Sequence, residues 1–246
     1  MCNLRRYERI VNNFKNNLNE ISDNLDFFLE KTINIGEEFG GPSIYFHKKA
    51  LLEQKNDFLG ENHLNMIYAV MPSWGMHRMG NTGAKMVDYN IFKEEILKNK
   101  DEIIELKNKK YKDVDINYIT KLITEKIHIS KANAFLVSSS KVLHHILPDL
   151  ISPIDRNYTI RFMKRNKNDW GSSSMNIKNE EEEAYALIFL EEMYNFLNIN
   201  ENKMLKHVIE INEKNIYENN FNTSLTKIFD NLIMAYVKEH KGRIIE

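Results

Sequence analysis

Residues 4–28 read LRRYERIVNNFKNNLNEISDNLDFF, and the apolar positions Leu4, Tyr7, Val11, Phe14, Leu18, Ile21, Leu25 and Phe28 recur at alternating steps of three and four. That period gathers them into one stripe along a helix. The stripe can lie across the core of its own chain. It can also pair with a second copy through Leu4, Val11, Leu18 and Leu25, because a 3.5-residue repeat suits a coiled-coil seam. Flanking charges show no obvious pairing pattern, which favours the first arrangement.

Working outward, the rest of the chain repeats the helical period. Ser43 caps a helix to about Lys55, a second follows Asn62 and is stopped by Pro72, and a third runs from about Asp88 to Asn108. Asp115 caps the segment carrying Ile116, Ile119, Leu122, Ile123 and Ile127, Ser130 caps Lys131 to Val137, and the serines 138–140 open Lys141 to Leu147, which Pro148 ends. Asp155 stands at the N-cap of a helix from Arg156 to about Lys167, and three helices close the chain over Glu180–Leu197, Glu201–Tyr217 and Ser224–His240. The run Glu180–Glu183 suits the positive end of its helix and reads as solvated structure, not a metal site. No stretch alternates apolar and polar residues long enough to demand a sheet. The expectation is an all-α fold of about ten helices in one compact domain over 1–246, with a seam between two lobes, if there are two, at the charged connector 108–113.

Composition supports this and narrows the function classes. With 34 Lys+Arg against 35 Asp+Glu the net charge is −1, so no global basic field draws the chain to nucleic acid or anionic lipid. Cys2 is the single cysteine, which excludes an intramolecular disulfide and cysteine-built zinc sites. Gly 9 and Pro 4 are scarce, as long helices require. Met1 to Ile10 carries Arg5, Arg6 and Arg9 without an apolar run, so it does not read as a signal peptide, and the longest apolar stretch, Ala184 to Leu190, is too short for a bilayer. The expected location is the cytoplasm. No phosphate-loop or dinucleotide glycine pattern, His-x3-His pair or calcium loop occurs, so no cofactor or metal is expected.

Chemistry concentrates in two places. The first runs from Ser140 to Thr159 and includes Lys141, His144, His145, the turn Leu147-Pro148-Asp149-Leu150, and Pro153-Ile154-Asp155-Arg156. A helix start favours the ionised form of Asp155, and an ionised carboxylate there can orient a water or stabilise a developing cation; it can equally do no more than satisfy its helix amides. Pro153, Asp155, Tyr158 and Arg161 resemble the second half of the helix-hairpin-helix DNA glycosylase motif, where an Asp after a proline-containing loop opens a helix with an aromatic residue and an Arg soon after. This chain departs from that pattern at the hairpin turn, where Val137, Ser138, Ser139 and Ser140 stand and no glycine occurs from Asn90 to Trp170. It also resembles an uncharacterised group of microbial proteins with Ser-Lys-x-Leu-His-His, Leu-Pro-Asp-Leu and Pro-Ile-Asp-Arg segments and a Trp-Gly-Met-His-Arg-Met-Gly loop. That second resemblance implies a shared fold and no reaction.

In bifunctional glycosylases a lysine attacks the sugar carbon, which makes Lys141 a candidate nucleophile, though it precedes Asp155 by fewer residues than in that family. By default a first-turn lysine is exposed, and an activated one needs burial. His144 and His145 are adjacent, so on a helix they diverge and one is expected inward, the other in solvent.

The second place is the glycine-bearing loop 72–83. Trp74, with Arg78 and Lys85, has the residue types that base stacking plus phosphate contact need, or else Trp74 plugs the core. Arg156, Arg161, Lys164, Arg165 and Lys167 form a local basic cluster, with Arg161, Lys164 and Arg165 expected on one face, for phosphates or for solvent. Together these residues point to DNA or RNA as partner, with Asp155 and Lys141 as the chemical groups. The alternative is a non-catalytic helical interaction module that uses the N-terminal stripe.

Overall fold

The computed structural model describes residues 2–35, 41–76, 85–131, 135–165, 175–213 and 220–242. These form an all-α fold: α1 (Cys2–Asp23), α2 (Leu25–Ile33), α3 (Pro42–Asn56), α4 (Glu61–Met71), α5 (Tyr89–Leu97), α6 (Lys100–Leu106), α7 (Ile116–Lys121), α8 (Leu136–Ile146), α9 (Arg161–Lys164), α10 (Glu182–Glu213) and α11 (Leu225–Gly242). Among the described residues there is no strand, and the only β pairing is an isolated bridge between Met86 and Ser130. No described helix is long and apolar enough to cross a membrane.

The chain divides into two compact units. The first comprises 1–38, 154–176 and 191–246, and the second 39–153 and 177–190. The connector 108–113 therefore lies inside the second unit, where Tyr111 is buried in a single 3-10 turn.

In the first unit α1 packs on α2 and α9, and α11 on α2 and α9. Phe14, Leu18, Ile21, Leu25 and Phe28 of the N-terminal stripe are buried, Tyr7 and Val11 half-buried. Leu18 and Leu25 thus lie in the unit's own core, while the Leu4 side chain is outside the described residues. Phe14 meets Phe162 edge-on at 5.6 Å, and Phe162 meets Tyr236 at 5.0 Å, a geometry that aromatic quadrupoles favour. The stripe is one helix by its period but two in space, broken at Asn24 (φ −118°, ψ 32°). Polar positions beside it are also buried. The Asn17 amide donates to the carbonyls of Phe162 and Arg165, both at 2.8 Å, and Asn13 donates to that of Lys164 at 3.0 Å. These are carbonyls at the end of α9 with no partner inside their own helix, so α1 caps α9 from the side.

Three boundaries differ from expectation for local reasons. Glu180–Leu197 and Glu201–Tyr217 are one helix, α10, through to Glu213, because the Asn200 amide bonds back to the Phe196 carbonyl and its oxygen accepts from Ser22, leaving nothing to break the ladder. Asp88–Asn108 is split at Asn99, whose amide bridges the carbonyls of Glu95 and Lys126. The helix after Asp155 begins as a π-turn over Arg156–Ile160 and ends at Lys164.

Candidate functional site

The second unit is organised around α8. Every residue from Leu136 to Ile146 is buried except Val137, so this helix is covered on all sides. Its start is capped by a carboxylate distant in sequence: Glu182 Oε2 accepts the amides of Phe135 and Leu136 at 2.8 and 3.0 Å. Two carboxylates of the Glu180–Glu183 run, those of Glu181 and Glu182, are therefore not solvated; Glu182 sits against the positive end of α8, where its charge is stabilised. Ser138, Ser139 and Ser140 lie inside α8 and do not open a new helix. Their hydroxyls donate to the carbonyls of Phe135, Ile127 and Val137, which is how three serines tolerate burial in mid-helix.

Lys141, His144 and His145 follow at i, i+3 and i+4, so α8 holds them close together. Lys141 is only 6% exposed, not the surface lysine expected, and its Nζ donates to the Trp74 carbonyl at 2.8 Å. That carbonyl is delivered by the π-turn Pro72–Met76 that continues α4, where Gly75 at φ +80° adopts a conformation that other residues reach only under strain. Both histidines are fully buried, which corrects the expectation of one in solvent. Each is held by a carbonyl: Nδ1 of His144 on Ile151 at 2.7 Å and Nδ1 of His145 on Lys141 at 2.8 Å.

His47, from the buried face of α3, joins them. Its Nδ1 lies 3.0 Å from Nε2 of His145. Because Nδ1 of His145 already donates to a carbonyl, the arrangement that buries no charge has His145 Nε2 accepting from His47 Nδ1–H. The rings of Trp74, His47 and His144 are nearly parallel: 5.2 Å and 27° for His47–Trp74, 5.7 Å and 6° for His47–His144. His145 stands edge-on to His47 at 5.0 Å and tilted to Trp74 at 4.7 Å. His63 supports this from α4. Its Nε2 donates to the His145 carbonyl at 3.1 Å while Nδ1 accepts the Leu59 amide at 3.1 Å, and burial pushes its pKa down to about 4. The result is a primary amine and four aromatic rings packed in one buried cluster, topped by a half-buried Trp74. Among the described residues no group of three His, Cys, Asp or Glu side chains could hold a metal ion.

The remaining candidates divide between the units. Lys85, half-buried, belongs with Trp74 and Lys141 in the second unit, its Nζ on the Gly75 carbonyl at 3.2 Å. Arg78 and Lys167 lie outside the described residues. Asp155 and the basic cluster belong to the first unit. Asp155 is half-buried and acts as a cap: Oδ1 accepts the Asn157 amide at 2.7 Å, and its own amide donates to Thr159 Oγ1 at 3.0 Å. Arg156 is exposed, Arg161 half-exposed with Nε on the Asn157 carbonyl, and Lys164 donates to the Asn176 carbonyl at 2.8 Å. Arg165 does not share their face. It has left the helix at φ −114°, ψ 153° and is 8% exposed. The i, i+3, i+4 expectation failed there because it assumed one regular helix through 165, whereas the helix opens with a π-turn and stops at Lys164.

The sequence did not single out His47 or His63, and it marked Glu182 only as part of a solvated run. The signal for His47 was there, since with Ile44 and Ala50 it occupies the inward side of α3. No local pattern marks Glu182 as the cap of a helix more than forty residues earlier. No family model, curated protein or solved structure matches this chain.

Proposed function

We propose that this protein acts on nucleic acid in the manner of a DNA glycosylase with lyase character, with Lys141 of the second unit as the amine nucleophile; Asp155 of the first unit is a separate candidate group, tested on its own. The observation that carries the reading is the burial of Lys141. Lysine is among the residues least often withdrawn from water, yet Lys141 is buried in the middle of α8 beside Trp74, His144 and His145, and a primary amine held at such a place is a candidate nucleophile. In the same unit the half-buried Trp74 is a candidate stacking surface, and in the first unit Arg156, Arg161 and Lys164 are candidate phosphate contacts. Arg165, being buried, is not part of that set. The alternative, pairing of two copies through the N-terminal stripe, draws less support because Leu18 and Leu25 already lie in the core.

The chemistry is testable without knowing the lesion recognised. The amine of Lys141 adds to C1′ of a ring-opened abasic sugar; the aldehyde oxygen leaves as water with the two N–H hydrogens of the amine, giving an imine. Borohydride delivers hydride to that C=N bond and fixes a secondary amine. Duplex DNA with one abasic site, incubated with the protein and sodium borohydride, is expected to yield a covalent adduct that migrates above the free strand. The adduct should vanish in Lys141→Ala and fall by orders of magnitude in Asp155→Asn while DNA binding persists. No adduct with the wild-type chain, or an undiminished adduct in Lys141→Ala, overturns the reading.

A further inference from the structure

The first unit contains a half-open cavity of about 550 Å³, lined by Asp26, Leu29, Glu30 and Ile33 from α2 and by Lys203, Lys206, His207 and Glu210 from α10. Each wall is an i, i+3, i+4, i+7 set, so two helix faces look at each other across the space. The volume is in the usual range for small-molecule sites, roughly 300–1,000 Å³.

The charges on the walls are not internally matched. Lys206 and Glu210 lie 3.8 Å apart on α10 and neutralise each other. Among the described residues, Asp26, Glu30 and Lys203 have no hydrogen-bond or ion-pair partner. Among the described residues, the cavity therefore presents two carboxylates on one wall and one ammonium on the other that no neighbour pairs, with the apolar surface of Leu29 and Ile33 alongside the carboxylates.

The basic wall is braced from behind. The Asn222 amide donates to His207 Nε2 at 3.4 Å and to Thr32 Oγ1 at 2.8 Å; Asn231 donates to Asn222 Oδ1 at 2.6 Å, and Lys227 donates to Asn231 Oδ1 at 2.8 Å and pairs with Asp230. Thr32, Asn222, Lys227, Asp230 and Asn231 are all buried. Well-packed apolar side chains would fill that volume at no cost in stability, so a connected polar network that ends on a cavity-lining ring points to a requirement beyond folding. Because Nε2 accepts from Asn222, His207 is held with Nδ1 as its remaining donor.

We propose that this cavity binds a basic zwitterion: a small molecule with two cationic groups, one carboxylate and an aliphatic body, as in a basic amino acid. The two cations complement Asp26 and Glu30, the carboxylate complements Lys203, and the methylene chain lies on Leu29 and Ile33. A polyamine leaves Lys203 unmatched, a phosphate meets two uncompensated carboxylates, and a neutral amino acid leaves one carboxylate bare. A metal ion is disfavoured by the absence, among the described residues, of three ligating side chains in one place. The site lies in the unit that does not contain Lys141, so it stands or falls separately from the activity proposed above.

The test is calorimetric titration of the full chain with L-lysine, L-arginine, L-leucine and cadaverine in turn, at low ionic strength. Lysine or arginine is expected to bind, with leucine and cadaverine each about tenfold weaker or more, as loss of one charge-assisted contact implies. Asp26→Asn and Lys203→Ala, both substitutions of exposed side chains, should each weaken lysine binding by a similar factor while the circular dichroism spectrum is unchanged. Failure of lysine and arginine to bind overturns the proposal. So does cadaverine equal to lysine, which would show that the carboxylate is not read, leucine equal to lysine, or unaltered lysine affinity in Asp26→Asn and Lys203→Ala.

Discussion

Among its polar groups the unit built around α8 buries the imidazoles His47, His63, His144 and His145, whereas the unit built around α1 and α11 buries His240 but relies chiefly on amides and an ion pair. In the first case His47, His63, His144 and His145 hold backbone carbonyls, an amide or one another, and aromatic stacking supplies the packing. In the second, Asn13 and Asn17 bridge to another helix's end, and Asn222, Asn231, Lys227 and Asp230 form a network around Thr32. The difference teaches where each unit is vulnerable. A neutral imidazole can be driven to a charged state by pH, so the α8 unit carries a proton-dependent weakness. The α1–α11 unit carries none of that kind at the Lys227–Asp230 pair; its weakness is the removal of one partner, which strands a buried charge.

The largest expected effect comes from breaking the buried ion pair of the first unit. Lys227→Ala should cost about 3–5 kcal/mol in urea unfolding, because Asp230 is left ionised and buried. The double change Lys227→Met with Asp230→Leu should recover most of that loss, and if it does not, the pair contributes more than mutual neutralisation.

Next in size is the pH response of the ring cluster. Above about pH 6.5 His63 is neutral whether the chain is folded or not. Below that, the unfolded chain takes up a proton which the folded ring refuses until about pH 4. Stability is therefore fully present above 6.5 and lost as the pH falls from 6.5 to 4, by roughly 3 kcal/mol from this residue. Unfolding midpoints followed from pH 7 to 4.5 should show that slope in the wild type and a shallower one in His63→Gln, whose amide can donate to the His145 carbonyl and accept from Leu59 without titrating. Equal slopes would remove His63 as the source.

The smallest effect concerns Asp155. As a cap it is worth about 1 kcal/mol, so Asp155→Ala should lower stability by that amount and Asp155→Asn by almost nothing, since Asn caps equally well. A large loss of adduct formation in Asp155→Asn, set beside unchanged stability, separates a chemical role from a structural one.

Much of the fold was legible because it depends on period. The burial of Phe14, Leu18, Ile21, Leu25 and Phe28 follows from spacing alone, and so does the all-α class. Boundaries were legible only where a local signal decides them, as at Asp115, which caps α7 through the Asn117 amide, and at Asp155. They were misread wherever a tertiary contact overrode the local signal: Asn200 looks like a break and is not, because its amide is satisfied within α10, and Asn99 makes a break that its neighbourhood does not announce. The candidate cluster was half legible. Lys141, Trp74, His144 and His145 were singled out as residues, but their burial and mutual stacking depend on α3 and α4 closing over α8.

What the amino-acid order determined by itself is the set of helices and the face each turns inward, since both follow from steric and hydrophobic terms acting over three or four residues. What the tertiary structure alone decided is which polar groups are taken out of water and what satisfies them there: Glu182 at the head of α8, Asn17 at the tail of α9, and Lys141 on the Trp74 carbonyl. Those pairings join residues far apart in the chain. Their energies arise from desolvation, which exists only after the helices have packed.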